Sequence, residues 1–177
     1  MGRIVSNFFM SLDGVVEAPD QWHMPYFNDE MGDAIGKGMA TNKAFLMGRV
    51  LYDEWAGFWP NSDDDFATFF NDHPKYVVSN SLERADWNNT TIISGDPVAA
   101  VQELKKQGDR HLVIYGYGQL AQTLLEHGLV DKLNFVVNPV MAGSGTTLFR
   151  PGKRTNLRLV SATERRNGVV TLSYAKA

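Results

Sequence analysis

The 177-residue chain contains no cysteine. That absence excludes disulfide staples, a thiolate nucleophile and thiolate-ligated zinc. It also has no run of lysine or arginine, and its formal net charge is -3. It therefore lacks the clustered cations that neutralise a nucleic-acid backbone. No apolar stretch approaches the length of a membrane span. The opening MGRIVSNFFMSLDG is broken by Ser, Asn and Asp, without the continuous apolar region and small-residue cleavage site of a secretory signal. Gly2 with Ser6 fits the loose myristoylation pattern, but no polybasic second signal accompanies it. His23, His73, His111 and His127 show no metal-ligand spacing, so no metal is expected. These exclusions lead to a cytoplasmic protein whose partner is a small molecule, with no nucleic acid and no membrane.

Hydrophobic residues make up 44% of the chain and charged residues 21%, which is the composition of a packed globular core. The length favours one domain spanning 1–177. Segments rich in Val, Ile, Phe and Tyr predict strands at Arg3–Ser11, Ala44–Met47, Lys75–Ser79, Thr90–Ser94, His111–Tyr115, Lys132–Pro139, Leu157–Thr163 and Val169–Ala175. The run HLVIY is apolar enough for a central strand buried on both faces. Asn167-Gly168, between the last two alternating runs, is a hairpin signal. Helices are predicted at Tyr26–Ala40, with Met31, Ile35 and Met39 at four-residue spacing, and at Val50–Ala56. A third is predicted at Pro97–Gln107, opened by Asp96 and Pro97 and ended by Gly108. A fourth is predicted at Gln119–His127, with Leu120, Leu124 and Leu125 on one face. Strands alternating with helices mean an α/β sheet, mostly parallel, with helices on both faces and an antiparallel hairpin at one edge.

Three junctions look alike. AFLMGRVLYDEW runs from a strand through Gly48-Arg49 into a helix. KYVVSNSLE runs from a strand into Ser79-Asn80-Ser81. HLVIYGYGQLAQ runs from a strand through Gly116-Tyr117-Gly118 into a helix. In a parallel sheet all three fall on one edge. Helix N-termini offer unpaired N–H groups and partial positive charge. Glycine lets a ligand approach the backbone, and Arg49 adds a planar fork that suits phosphate. Singly, each junction reads as an ordinary turn; repetition on one edge points to a cradle for a phosphorylated dinucleotide.

The order SLDG, LMGRVLYDEW, YVVSNSLE and LVIYGYGQLAQTLLEHGLVDKLNFVVNPVMAGSGTTLF resembles the reductase domain at the C-terminus of bacterial riboflavin-biosynthesis deaminase-reductases. That domain belongs to the dihydrofolate reductase superfamily. The likeness covers nearly the whole chain, and the long last motif is its most specific part. It implies a dihydrofolate reductase-like mixed sheet of eight strands, NADPH as cofactor and a homodimer built across a sheet edge. By the family pattern, Gly48 and Arg49 meet the cofactor phosphates. Ser79, Asn80 and Ser81 lie at the adenosine 2′-phosphate end. Gly116, Tyr117, Gly118, Gln119 and Leu120 pack against the pyrophosphate and nicotinamide ribose. Tyr117 departs from the Gly-Gly pair that dihydrofolate reductases carry here.

Asp13, at the predicted end of strand one, is the candidate catalytic residue, for orienting substrate or closing the loop. Asp29, Glu30 and Asp33 lie on the helix where dihydrofolate reductases carry an acid facing the pterin, but no surrounding motif singles one out. Trp22, His23, Tyr26 and Phe27 form either a lid over a planar substrate or a loop packed on the core. The resemblance implies an NADPH-dependent reductase similar to 5-amino-6-(5-phosphoribosylamino)uracil reductase, acting on a small heterocyclic or sugar-derived substrate. The alternatives are a dihydrofolate or pterin reductase, and an inactive nucleotide-binding protein of the same fold. The chain lacks the His-x-Glu and Cys-x-x-Cys zinc motifs of a cytidine-deaminase-like half.

Overall fold

The computed structural model describes residues 2–107, 111–148, 151–152 and 154–177. Gly108, the expected helix stop, and Phe149, the last residue of the long motif, lie outside them. The strands are β1 (Arg3–Ser11), β2 (Ala44–Gly48), β3 (Lys75–Val78), β4 (Thr90–Ile93), β5 (His111–Tyr115), β6 (Lys132–Asn138), β7 (Leu157–Glu164) and β8 (Val170–Lys176). The helices are α1 (Asp29–Met39), α2 (Arg49–Phe58), α3 (Ala67–Asp72), α4 (Pro97–Lys106) and α5 (Gln119–Glu126). One sheet of eight strands runs in the order β4-β3-β2-β5-β1-β6-β8-β7. The first six are parallel, and β8 and β7 join them antiparallel.

Expected and observed boundaries differ by a residue or two, as frayed ends do. The first helix is the exception. It starts at Asp29, with Asn28 Oδ1 accepting from Met31 N at 2.9 Å. Residues from Tyr26 onward were expected to be helical, but Met24–Tyr26 is a separate 3₁₀ turn. The cap decides the start: a side-chain acceptor at Asn28 satisfies a first-turn N–H that nothing upstream could. Helix α3 was not expected, because six residues are too few to show a period. At the terminal hairpin Asn167 and Gly168 both take positive φ, 65° and 76°, the backbone that makes Asn-Gly a hairpin signal.

Two cores flank the sheet. On one face Ile4, Leu46, Leu112 and Leu124 are buried with Val101 and Val130. On the other, Phe45, Met47, Val77 and Val113 pack with Met39, Tyr52, Phe70 and Trp87. Each fully buried aliphatic side chain contributes about 1.5–3 kcal/mol relative to exposure. The middle of β5 is buried on both faces, with Leu112, Val113 and Ile114 at 1%, 0% and 4% exposure. Among the described residues no helix is long and apolar enough to cross a membrane.

A buried cation ties β3 to α3 and to the long loop after β3. Lys75 is 0% exposed. Its Nζ donates to the carbonyls of Asn71 at 2.9 Å and His73 at 2.7 Å, and sits 4.4 Å from the centre of the Trp87 ring. Trp87 Nε1 in turn donates to Asn71 Oδ1 at 2.7 Å. Burial pushes the Lys75 ammonium down to about 8, with Asp72 pulling the other way. The unfolded chain keeps this proton up to its ordinary 10.5. Raising the pH from about 8 towards 10.5 therefore discharges the folded lysine first, and folded stability rises across that window. Denaturant titrations of the wild type and Lys75→Met should diverge through that interval, the wild type gaining. Parallel profiles would show that the charge is not desolvated.

Candidate active site

Strands β3, β2, β5 and β1 are neighbours in the sheet, so the junctions that follow them stand side by side at the C-terminal edge. Ligands of open α/β sheets bind at such an edge. Gly48 is the N-cap of α2 at φ -84°, ψ 171°. Gly118 is the N-cap of α5 at φ -96°, ψ -169°. Neither backbone needs glycine, and neither cap has a side chain accepting from the first turn. Glycine is a poorer cap than Ser, Asp or Asn. A Cβ on Gly118 would meet nothing within 4 Å. One on Gly48 would make ordinary contact with Leu120 Cβ at 3.9 Å, which places the two junctions against each other. Folding thus gives no reason for glycine at either N-cap, and the space each leaves opens onto unpaired N–H groups. Gly116 is different. Its φ of 83° requires glycine, and the turn is pinned to β1 by Gly116 N donating to Asn7 O at 2.9 Å and Ser6 Oγ donating to Gly116 O at 3.3 Å.

The surrounding candidates divide. Arg49 Nε is held by both oxygens of Asp53, at 2.8 and 2.7 Å. The side chain stays 39% exposed, and its Nη groups make no hydrogen bond among the described residues. Tyr117 packs on Phe8, ring centres 5.2 Å apart. Gln119 is exposed and Leu120 half-buried at the edge of the core. Ser79 is spent internally: its Oγ accepts from Ser81 N at 3.2 Å and Leu82 N at 3.1 Å. Asn80 Oδ1 accepts from Gly95 N at 2.7 Å. Asn80 and Ser81 are exposed. The expected kinship of this junction with the other two is only partial. No helix follows β3; a loop over residues 79–89 leads to β4. Ser79 to Ser81 therefore carry no helix N-terminus.

Asp13 closes a loop. Its Oδ1 accepts from Ser11 Oγ at 2.5 Å and Ala142 N at 3.0 Å, and its Oδ2 from Gly143 N at 2.8 Å. The Ser11 hydroxyl, then the Gly143 and Ala142 amides, pull its carboxyl down to about 2. It holds no proton to donate at neutral pH. Glu17 repeats the device, accepting from Thr146 N at 2.6 Å. Backbone bonds complete the clasp: Leu12 N to Val140 O at 2.8 Å, Val16 N to Thr146 O at 2.9 Å and Leu148 N to Gly14 O at 2.8 Å. The loop after β1 is thereby stapled to the loop after β6.

The aromatic segment between β1 and α1 packs inward. His23 is 4% exposed. It stacks on Phe9 at 3.8 Å between ring centres and meets the Phe27 ring edge-on at 5.7 Å. Asn138 Nδ2 donates to Val136 O at 3.1 Å. Asn138 Oδ1 is thus turned to His23 Nδ1, 3.0 Å away, so Nδ1 carries the hydrogen. Burial pushes this imidazole below its ordinary value, opposed by the Asn138 hydrogen bond. Trp22 Nε1 donates to Glu17 O at 3.1 Å, and Tyr26 Oη to Pro139 O at 3.4 Å. Of the α1 acids, Glu30 receives Arg165 Nη1 at 3.4 Å and Arg166 N at 3.2 Å, while Asp29 and Asp33 are exposed. Among the described residues no group of three or more His, Asp or Glu could hold a metal. The clasp and the His23–Asn138 pair left no trace in sequence spacing, since each joins residues more than a hundred positions apart.

Residues 3–171 match the RibD C-terminal domain. The chain belongs to that family. A relative, the uncharacterized protein YyaP of Bacillus subtilis (strain 168), is 28% identical over 181 residues, covering 97% of this chain and 94% of the relative. Three solved structures share the fold. A protein of Shewanella sp. PV-4 assigned to riboflavin biosynthesis superposes with a TM-score of 0.77 at 19% identity, over 99% of both chains. A pyrimidine reductase-like protein of Corynebacterium diphtheriae gives 0.72 at 13% identity, over 99% of this chain and 92% of that one. The third is a diaminohydroxyphosphoribosylaminopyrimidine deaminase/5-amino-6-(5-phosphoribosylamino)uracil reductase of Thermotoga maritima. It gives 0.69 at 12% identity, over 99% of this chain but 57% of that longer one. The eight-stranded mixed sheet is thus the architecture of RibD-type and pyrimidine reductase-like proteins.

Asp13→Ala removes one acceptor from two backbone amides and a hydroxyl. Hydrogen exchange at Ala142 and Gly143 should accelerate about tenfold or more, the equivalent of one lost charge-assisted hydrogen bond, while the β5 amides keep their protection. Unchanged exchange at both amides would show that Asp13 does not hold the loop.

Proposed function

We propose that this chain is an NADPH-dependent reductase, similar to 5-amino-6-(5-phosphoribosylamino)uracil reductase, that acts on a small heterocyclic or sugar-derived substrate. The observation that carries the reading is the pair of glycine N-caps, Gly48 and Gly118, adjacent at one sheet edge without a conformational need for glycine. Two helix N-termini that leave this space beside each other suit a pyrophosphate. Gly116, Tyr117, Gly118, Gln119 and Leu120 supply the floor under the dinucleotide. Arg49 offers its free Nη groups to a phosphate, and Asn80 and Ser81 offer donors at the adenosine end, with Ser79 shaping their turn. When bound, NADPH supplies the hydride. The chain's part is to hold the two reactants in register. Asp13 acts there by fixing the loops that border the substrate side. The RibD C-terminal domain family and the reductase names of the structural neighbours support the same reading. Pterin reduction is the weaker alternative, since the three α1 acids are solvent-exposed or committed to Arg165 and Arg166. A protein that binds the dinucleotide without turnover is the other.

Calorimetric titration with NADPH and NADH in parallel tests the cradle. NADPH should bind more tightly, and Arg49→Leu should weaken both dinucleotides about tenfold, the loss of one charge-assisted contact to a phosphate they share. Failure of both dinucleotides to bind would remove the reading's physical support.

The proposal extends to a homodimer. Edge strand β7 is almost wholly exposed, with Leu159 at 50% and Val160 at 49% exposure. An uncovered edge strand pairs readily with another copy. Antiparallel pairing of two β7 strands about Ser161 sets Arg158 opposite Glu164 of the second copy, twice by symmetry. Light scattering should give twice the chain mass for the wild type and a monomer for Val160→Lys. A monomeric wild type ends this proposal.

A further inference from the structure

Between Val15 and Met31 a single residue is buried, His23, at 4% exposure. The 3₁₀ turns on either side of it, Pro19–Gln21 and Met24–Tyr26, bury nothing. The backbone hydrogen bonds of Gln21, Trp22, His23, Tyr26 and Phe27 all run within the segment. His23 is what fastens it to the sheet. The ring stacks on Phe9 of β1, and its Nδ1 donates to Asn138 Oδ1 at the end of β6, 3.0 Å away. Among the described residues the segment makes one other hydrogen bond to the sheet side, from Tyr26 Oη to Pro139 O at 3.4 Å, and that one is exposed.

The anchor has no place for a second proton. Asn138 is oriented by its own bond to Val136 O, so the hydrogen of the neutral ring sits on Nδ1 and Nε2 is a bare acceptor. Nε2 is buried and has no hydrogen-bond partner. Protonation turns it into a charged donor with no acceptor, a costly group to bury. No charge nearby offsets that cost. β1 contributes the Phe9 ring, β6 the Asn138 amide, and the run into α1 the Phe27 ring. The carboxylates closest in the chain are committed elsewhere or face solvent. Asp13 accepts from Ala142 and Gly143, Glu17 from Thr146, and Glu30 from Arg165 and Arg166. Asp20, Asp29 and Asp33 are exposed.

We propose that His23 is a proton-released catch: neutral, it holds residues Ala18 to Phe27 closed over the ends of β1 and β6, and protonated at Nε2 it lets them go. Once released, the ring reaches water and its ordinary 6.5. The open form thus binds the proton better than the closed one. Closure is fully favoured above 6.5 and is lost progressively as the pH falls below it, towards the lower value of the buried ring. The segment leads from the clasped loop after β1 into α1, so its release uncovers the C-terminal edge beside β1 and β6. The inference depends on neither the dinucleotide reading nor the family.

Hydrogen exchange of the full-length protein, corrected for its intrinsic pH dependence, reads the opening at the Tyr26 and Phe27 amides, with Val113 and Ile114 of β5 as reference. Protection at Tyr26 and Phe27 should fall on acidification by up to about tenfold per pH unit, the limit for one proton, while β5 holds. His23→Gln, which cannot titrate, should abolish the dependence. Asn138→Asp, which gives the imidazolium a carboxylate, should reverse it. Proton NMR of the wild type keeps the test valid if either variant does not fold: the His23 ring should titrate below 6.5. Protection that ignores pH, a dependence that survives in His23→Gln, an equal loss in β5, or a ring that titrates at or above its ordinary value would each overturn the proposal.

Discussion

The parallel pairing of β1 with β5 on one side and β6 on the other is the constraint from which the rest of the molecule follows. Parallel neighbours need crossovers that return the chain to the starting edge; helices make them except between β3 and β4, where a loop does. Every strand of the parallel set therefore ends at the same edge. Because β3, β2, β5 and β1 are consecutive in space, their exits form one row. Gly48 and Gly118 stand in that row against each other although seventy positions separate them in the chain.

Several charges in this protein hold shape. Asp13 and Glu17 tie the loop after β1 to the loop after β6. Glu30 binds the β7–β8 turn to α1. Lys105, 7% exposed, joins Asp131 at 2.6 Å and the carbonyl of Leu129 at 2.9 Å, and Asp131 also accepts from Ile4 N at 2.7 Å. Around the Gly48 and Gly118 caps stand glycine backbone, the Asn80 amide, the Ser81 hydroxyl and the Arg49–Asp53 pair. A site of that kind suits chemistry that depends on placing two reactants rather than on a strong acid of the protein's own.

The strands were legible because their β-branched and aromatic runs are local signals, and the terminal hairpin because Asn167-Gly168 is the pair that tolerates two positive φ angles. The three junctions were legible as composition, but not the differences among them. Nothing in Ser79-Asn80-Ser81 says that the Ser79 hydroxyl turns inward onto two backbone amides. Nothing in the run after β3 says that no helix follows. Helix α3 escaped because its aromatic residues are spent on Phe45, Trp59 and His73, contacts too distant or too brief to impose a period. The resemblance to riboflavin-pathway reductases, carried by GLVDKLNFVVNPVMAGSG and the junction motifs, named the family to which the chain belongs.

The sequence by itself determined the fold class, the positions of the crossovers and the residue types at the C-terminal edge of the parallel strands, because hydrophobic period, capping residues and glycine placement act within a few positions of where they are read. Only the tertiary structure decided which of those residues face outward and which are consumed. Asp13 became a clasp and Ser79 a turn-former. Gly118 and Gly48 became open caps. Those outcomes depend on partners brought from far along the chain, and a side chain's hydrogen-bonding capacity is assigned only when those partners arrive.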